Sequence, residues 1–186
     1  MRMLTGLPAN RRSLLLSLFE LGSAAAAAPS GARAEAGTPV SQTLRLSGLV
    51  ENELRLSAAD LSGFALVAIA DTPLRGRFGD TLRVLKGYGG IRLTALLDRA
   101  QIKSSDHNDL KKTIVIANST DNYKAVFSWN ELYNTAVGEG VYVLVTKDGQ
   151  PLGDEEGRFA LISLQDIKTG PRHVRWLADV QVQRIG

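Results

Sequence analysis

Four basic side chains gather near the end of the chain: Lys168, Arg172, His173 and Arg175, with Gly170-Pro171 between the first two. A guanidinium binds phosphate through two parallel hydrogen bonds, which the point charge of lysine cannot imitate. A glycine beside such groups lets a ligand approach the backbone and frees N–H groups to point at an anion. Gly170, Arg172, His173 and Arg175 therefore read as an anion site. If His173 to Ile185 is a strand, Val174, Trp176, Ala178, Val180 and Val182 share one face, and His173 and Arg175 project together from the other. The alternative is a solvated strand whose cations pair with Asp166 or Asp179, since surface charge runs are common. The residues alone leave both readings open.

A second basic set, Arg75, Arg77, Arg83 and Lys86, precedes Tyr88-Gly89-Gly90. It reads either as a lid drawn to an anion or as a flexible exposed hairpin. Most other chemistry is excluded. The chain has no cysteine, so it has no disulfide, no thiolate-bound metal and no cysteine nucleophile. His107 stands alone in a polar stretch, and there is no His-x-x-His, Gly-x-Ser-x-Gly or Walker loop. Asp154-Glu155-Glu156 reads as a solvated turn without the spacing of a calcium loop. No catalytic residue and no metal-ligand set follows from the motifs.

Short elements must position these residues. Thr43 to Val50 alternates and predicts a strand, and Ser57 to Asp60 has capping-box spacing for a short helix. Phe64 to Ala70 is a continuous apolar run, the pattern of a buried strand, which Asp71-Thr72-Pro73 ends in a turn. Arg75 to Gly90 predicts a mobile loop or hairpin. Leu93 to Gln101 has helical spacing, and Ser104 to Lys112 reads as a surface loop. Strands follow at 113–117 and 123–127, a helix capped by Ser128 and Glu131, and a strand at 141–146 that ends in the hairpin signal Asp148-Gly149. Phe159 to Leu164 is a buried strand. Short strands mixed with short helices predict one α+β domain, and 44% hydrophobic residues in 186 suffice for one packed core.

Residues 1–36 read as an export signal and residues 37–186 as the domain. Arg11 and Arg12 precede an apolar segment, and Ala34-Glu35-Ala36 offers a small-x-small cleavage site. Asn10 to Leu15 also matches a twin-arginine signal loosely, so the export pathway stays open. The apolar segment is too short for a stable membrane span. Residues 1–36 hold Arg2, Arg11, Arg12 and Arg33 against Glu20 and Glu35, so without them the net charge falls from +3 to +1. That argues against nucleic acid as a partner.

In order, these pieces resemble the molybdopterin-binding domain of the sulfite oxidase family. Tyr88-Gly89-Gly90-Ile91-Arg92-Leu93 is similar to its aromatic-x-Gly-aliphatic-x-Leu signature. Asp121-Asn122-Tyr123 is similar to its Asp-Gly-Tyr turn, and Asp148-Gly149-Gln150-Pro151-Leu152 to its Asn-Gly-x-Pro-Leu turn. Gly157, Gly170 and Val174-Arg175-Trp176-Leu177 follow its closing pattern. The resemblance spans about residues 43–185. It implies molybdopterin as the cofactor, held at its phosphate and pterin by His173 and Arg175 with Arg172 beside them. It also implies a molybdopterin-dependent oxidoreductase, if the protein is an enzyme. Two features depart from the family. Asp71-Thr72 stands where the metal-binding cysteine should follow the strand at 64–70, and Gly157-Arg158-Phe159 lacks the family's proline. The expectation is an exported, periplasmic domain that binds an anionic pterin or another phosphate-bearing ligand. The rival is a non-enzymatic periplasmic domain that kept the fold, lost the redox chemistry and binds another anion or a protein partner.

Overall fold

The computed structural model describes residues 39–186. The expected export segment, residues 1–36, lies outside the described residues. In chain order the strands and helices begin with β1 (Leu44–Gly48), β2 (Leu54–Leu56), β3 (Val67–Ala68), β4 (Thr72–Arg75), β5 (Thr81–Leu85) and β6 (Tyr88–Arg92). Then come α1 (Leu93–Ala100), α2 (His107–Lys111), β7 (Thr113–Ser119), β8 (Lys124–Ser128), α3 (Trp129–Tyr133) and α4 (Ala136–Glu139). The chain closes with β9 (Val141–Lys147), β10 (Gln150–Pro151), β11 (Ala160–Ser163) and β12 (Leu177–Arg184).

Two layers result, the first mixed and the second antiparallel throughout. One sheet runs β2-β1-β12-β7-β8, with β1 and β12 parallel and the other pairs antiparallel. The second runs β10-β9-β6-β3, with β11 also paired to β9. Alternation explains the first sheet: Val115 and Ala117 of β7 and Ala125 and Phe127 of β8 are buried, while Lys124 and Val126 face out. Between the two sheets these residues pack with Leu44, Leu46, Val180 and Val182, and with Leu93, Leu96 and Leu97 of α1. In the second sheet β9 and β11 are covered on both faces. Val141, Val143 and Leu161 enter that core, whereas Tyr142, Leu144, Ala160 and Ile162 meet a smaller cluster with Leu74 and Leu85 of the β4–β5 hairpin. A strand buried on both faces needs apolar residues at every position, which is why 141–144 and 159–162 read as continuous runs.

Local signals were reliable guides to several boundaries. Ser128 and Glu131 form a complete capping box at the start of α3. Asp148-Gly149 makes the tight turn between β9 and β10. Other expectations are corrected. Phe64 to Ala70 is not a buried strand: only Val67 and Ala68 pair, with Gly90 and Gly89 at the sheet edge, and Leu66 is 55% exposed. The apolar run lacks a layer on its outer side. Within 104–112 the chain forms α2, N-capped by the Asp106 carboxylate, which accepts from the Asn108 N–H at 2.7 Å. Of the two forms expected for the basic segment at 75–86, loop or hairpin, the two-stranded hairpin is found, packed through Leu74 and Leu85. Among the described residues no helix is long and apolar enough to cross a membrane.

Candidate anion site

The site forms where the chain turns into its last strand. Residues Gly170–Arg172 make a single 3₁₀ turn with Pro171 at its second position, and the His173 N–H donates to the Gly170 carbonyl at 3.0 Å. Val174 then bridges to Leu161 through two backbone bonds of 2.7 and 2.8 Å, so its side chain enters the core. The expected unbroken strand from 173 does not form. Trp176 has φ +50°, a strained value for a bulky residue, and β12 starts only at Leu177. Its N–H donates to the Glu156 carbonyl at 2.7 Å, and its indole Nε1–H donates to the Asp154 carbonyl at 2.8 Å. Trp176 is therefore half-buried and lies outside the core face assigned to it by alternation. Leu177, Val180 and Val182 hold the buried positions, with a bulge between Leu177 and Asp179 resetting the register.

Gly157, at φ +82°, sits against this kink, and a Cβ there would lie 2.6 Å from the Trp176 Cα. Gly170 serves a second close approach: a Cβ on it would lie 2.7 Å from the Arg75 carbonyl oxygen of β4. The hairpin thus packs directly on the closing turn. Thr169 reinforces the joint, its hydroxyl accepting from the Arg75 N–H at 2.9 Å and donating to the Pro73 carbonyl at 3.1 Å.

Two surface hollows result, of about 360 and 230 Å³, and both are lined by Gly170, His173 and Arg175. Leu74, Leu82 and Arg83 of the hairpin complete the larger one. Asp121 and Tyr123, from the turn between β7 and β8, complete the smaller. The Tyr123 hydroxyl donates to the Pro171 carbonyl at 2.6 Å and so ties that turn to the closing one. The Asp121 carboxyl is held below its ordinary range by the Ser119 hydroxyl, by the Tyr123 N–H and by the charge of Arg175. The Arg175 guanidinium lies 4.3 Å over the Trp176 ring, and the side chain is exposed.

Glu156 was expected in a solvated turn, but it is 1% exposed. One carboxylate oxygen accepts from Arg83 and from the Tyr88 hydroxyl. Burial, and then the Glu156 charge, push the Tyr88 hydroxyl up to about 12. His173 faces Glu156 with a side chain only 5% exposed. Burial lowers its pKa to about 4, and the positive fields of Arg83 and Arg175 act in the same direction against the attraction of Glu156. At neutral pH His173 is an uncharged imidazole.

The other sequence candidates separate. The Arg172 guanidinium spans Asp166 and Glu131, with Nε 2.7 Å from Asp166 Oδ2 and Nη1 3.0 Å from Glu131 Oε1, and lies 4.4 Å over the Phe127 ring. Each of its three nitrogens donates to a carboxylate of the fold, and it lines neither hollow. Lys168 is exposed, Arg77 lies 4.8 Å over Phe78, and Lys86 reaches Asp71 at 3.7 Å on the surface. Arg83 moves the other way: placed by sequence with the hairpin, it joins the closing-turn residues. The fold therefore brings one member of the second basic set to the first. No local signal could have revealed this, because Arg83 and Glu156 are 73 residues apart.

The arrangement can hold an anion. Arg175 presents a guanidinium pre-oriented by the indole, Arg83 is 40% exposed beside it, and neutral His173 has one N–H to donate. No family model and no curated protein matches the chain. Among solved structures, the sulfane dehydrogenase SoxCD from Paracoccus pantotrophus matches with a TM-score of 0.54 and 17% identity. The likeness is one of fold. It covers 77% of this chain and 39% of the SoxCD chain, so this protein spans well under half of its neighbour's length. The SoxCD-like architecture agrees with an α+β domain of mixed sheets and few helices.

Proposed function

We propose that this protein is an exported, molybdopterin-binding, oxidoreductase-like domain of the sulfite oxidase fold that holds its cofactor without a cysteine ligand. The observation that carries the reading is the hollow in which Gly170, His173, Arg175 and Arg83 meet. The ordered run of family-like motifs and the fold likeness to SoxCD support it. The residues fit the anionic part of such a group: Arg175 and Arg83 would clasp the phosphate and His173 would add a hydrogen bond. When bound, molybdopterin supplies the redox chemistry through the metal it carries, and the protein supplies binding and orientation. This chain contributes no thiolate to that metal.

A second reading keeps the fold and the anion site but not the redox chemistry. It is favoured by Asp71-Thr72, which stand where the resemblance would put the family's metal-binding cysteine, with Asp71 exposed beside Lys86. Both readings place the mature chain in the periplasm or outside the cell.

Calorimetric titration of the full chain with molybdopterin and with a simple phosphate ester tests the site. Arg175→Ala should weaken binding about tenfold to a hundredfold, the worth of a charge-assisted hydrogen bond of ~1.5–3 kcal/mol. Arg175→Lys should restore only part of the affinity. Equal affinities in all three proteins would remove the site. Elemental mass spectrometry of protein from its native host separates the two readings: bound molybdenum supports the first, and its absence with anion binding intact supports the second. Molybdenum-dependent turnover of sulfite is not expected in either case.

A further inference from the structure

The Glu156 carboxylate is satisfied on one oxygen only. Oε1 accepts from Arg83 and from Tyr88, whereas Oε2 is buried without a donor. Facing it at 3.5 Å is His173 Nε2, also buried and also without a partner. These side chains are 2% and 5% exposed, so water does little for either. Orphaned buried polar atoms are uncommon and call for a physical reason.

The charges around the pair suggest one. Arg83 from β5 is offset by Glu156, which precedes β11, and Tyr88 from β6 reaches the same carboxylate. Arg175, on the segment of His173 itself, feels the opposite charge of Asp121 from the β7–β8 turn. With His173 neutral the two arginines are offset by the two carboxylates, so an entering anion gains its contacts to Arg83 and Arg175 but meets no net positive charge. A protonated His173 supplies the missing positive charge, and its Nε2–H finds Glu156 Oε2 waiting as acceptor. The cost of charging it comes from burial and from Arg83 and Arg175. An anion seated on those two arginines screens both repulsions and adds its own attraction.

We propose that the hollow binds its anion together with one proton: His173, set between the free oxygen of Glu156 and the ligand, becomes imidazolium on binding. The proton comes from solvent and returns to it on release, so the site takes an anion as its acid equivalent. The inference rests on the anion-site reading of Arg175 and Arg83. Glu156 and His173 act together, the first as acceptor and the second as carrier of the charge. Affinity should then rise as pH falls, by about tenfold per pH unit between the free and the bound midpoints of His173.

Proton NMR of the full chain provides the test, with sulfate as the probe because it does not titrate near neutrality. The chain has two histidines, and exposed His107 serves as the internal control. In the wild type, sulfate should raise the His173 midpoint by about one unit or more relative to chloride at equal ionic strength, with His107 unmoved. Glu156→Gln should reduce the shift, and His173→Gln should remove the pH dependence of sulfate affinity while Arg175 still binds. A merely structural histidine would not change its midpoint with sulfate. Sulfate binding with the His173 midpoint unmoved overturns the proton coupling and leaves the anion site standing. No sulfate binding between pH 4 and 8 overturns both.

Discussion

Arg172 and Arg175 are three positions apart and have different partners. Arg172 is enclosed by Asp166, Glu131 and Phe127, while Arg175 faces the hollow from the Trp176 ring. Arg172→Ala strips the 11%-exposed Asp166 of its cation, so unfolding in urea should show a loss of about 1.5–3 kcal/mol with anion affinity little changed. Arg175→Ala should do the reverse. His173 carries a separate pH signature. Its pKa is about 4 in the folded chain and 6.5 unfolded, so the unfolded state binds more protons between those values. Stability from this residue is complete above pH 6.5 and is lost as pH falls toward 4. Urea midpoints measured across that window should show the slope, and His173→Gln should flatten it.

At the level of elements, the kink before β12 governs the site. Two adjacent segments take left-handed backbone, Gly157 at φ +82° and Trp176 at φ +50°, and the bond from the Trp176 N–H to the Glu156 carbonyl locks them together. That joint fixes where Glu156 points. Gly157→Ala should cost about 1–3 kcal/mol in urea unfolding from strain alone, and more if Trp176 is displaced. Trp176→Ala tests the platform. Because the indole is half-buried, its stability cost should fall below the ~3 kcal/mol typical of a core aromatic. Loss of the ring under Arg175 should weaken anion binding about two- to fivefold, the worth of an exposed cation–π contact of ~0.5–1 kcal/mol. The β4–β5 hairpin is the other determining element, since Thr169 and the absence of a side chain at Gly170 seat it against the closing turn.

For the whole molecule, the described residues hold two sheets around one main core, with a smaller cluster beneath the hairpin. In the second sheet β9 and β11 are buried on both faces, and an exposed apolar edge lies at Leu66 and Val67. The export expectation belongs to this scale. Mass spectrometry of protein recovered from the periplasm should find a chain lacking residues 1–36. A mature chain that still carries Met1 would end that proposal.

The sequence by itself determined what depends on near neighbours. The Ser128–Glu131 capping box, the Asp148-Gly149 turn, the helical spacing of α1 and the alternation of β7 and β8 were legible because each rests on residues within a few positions. Composition settled the absence of thiolate chemistry. The α+β class followed from the order of short strands and helices. Tertiary structure decided everything that turns on distant partners. An apolar run states that burial is available to it but not which layer will cover it, so Phe64 to Ala70 could read as core and yet lie at an edge. Three acidic residues in a row read as solvent-facing until Arg83, Tyr88 and His173 converge on the last of them. Arg172 and Arg175 look equivalent on paper, and only the positions of Asp166, Glu131 and Trp176 separate them. Charge pairing and burial are set by neighbours in space, and for this site those neighbours come from three separate stretches of the chain.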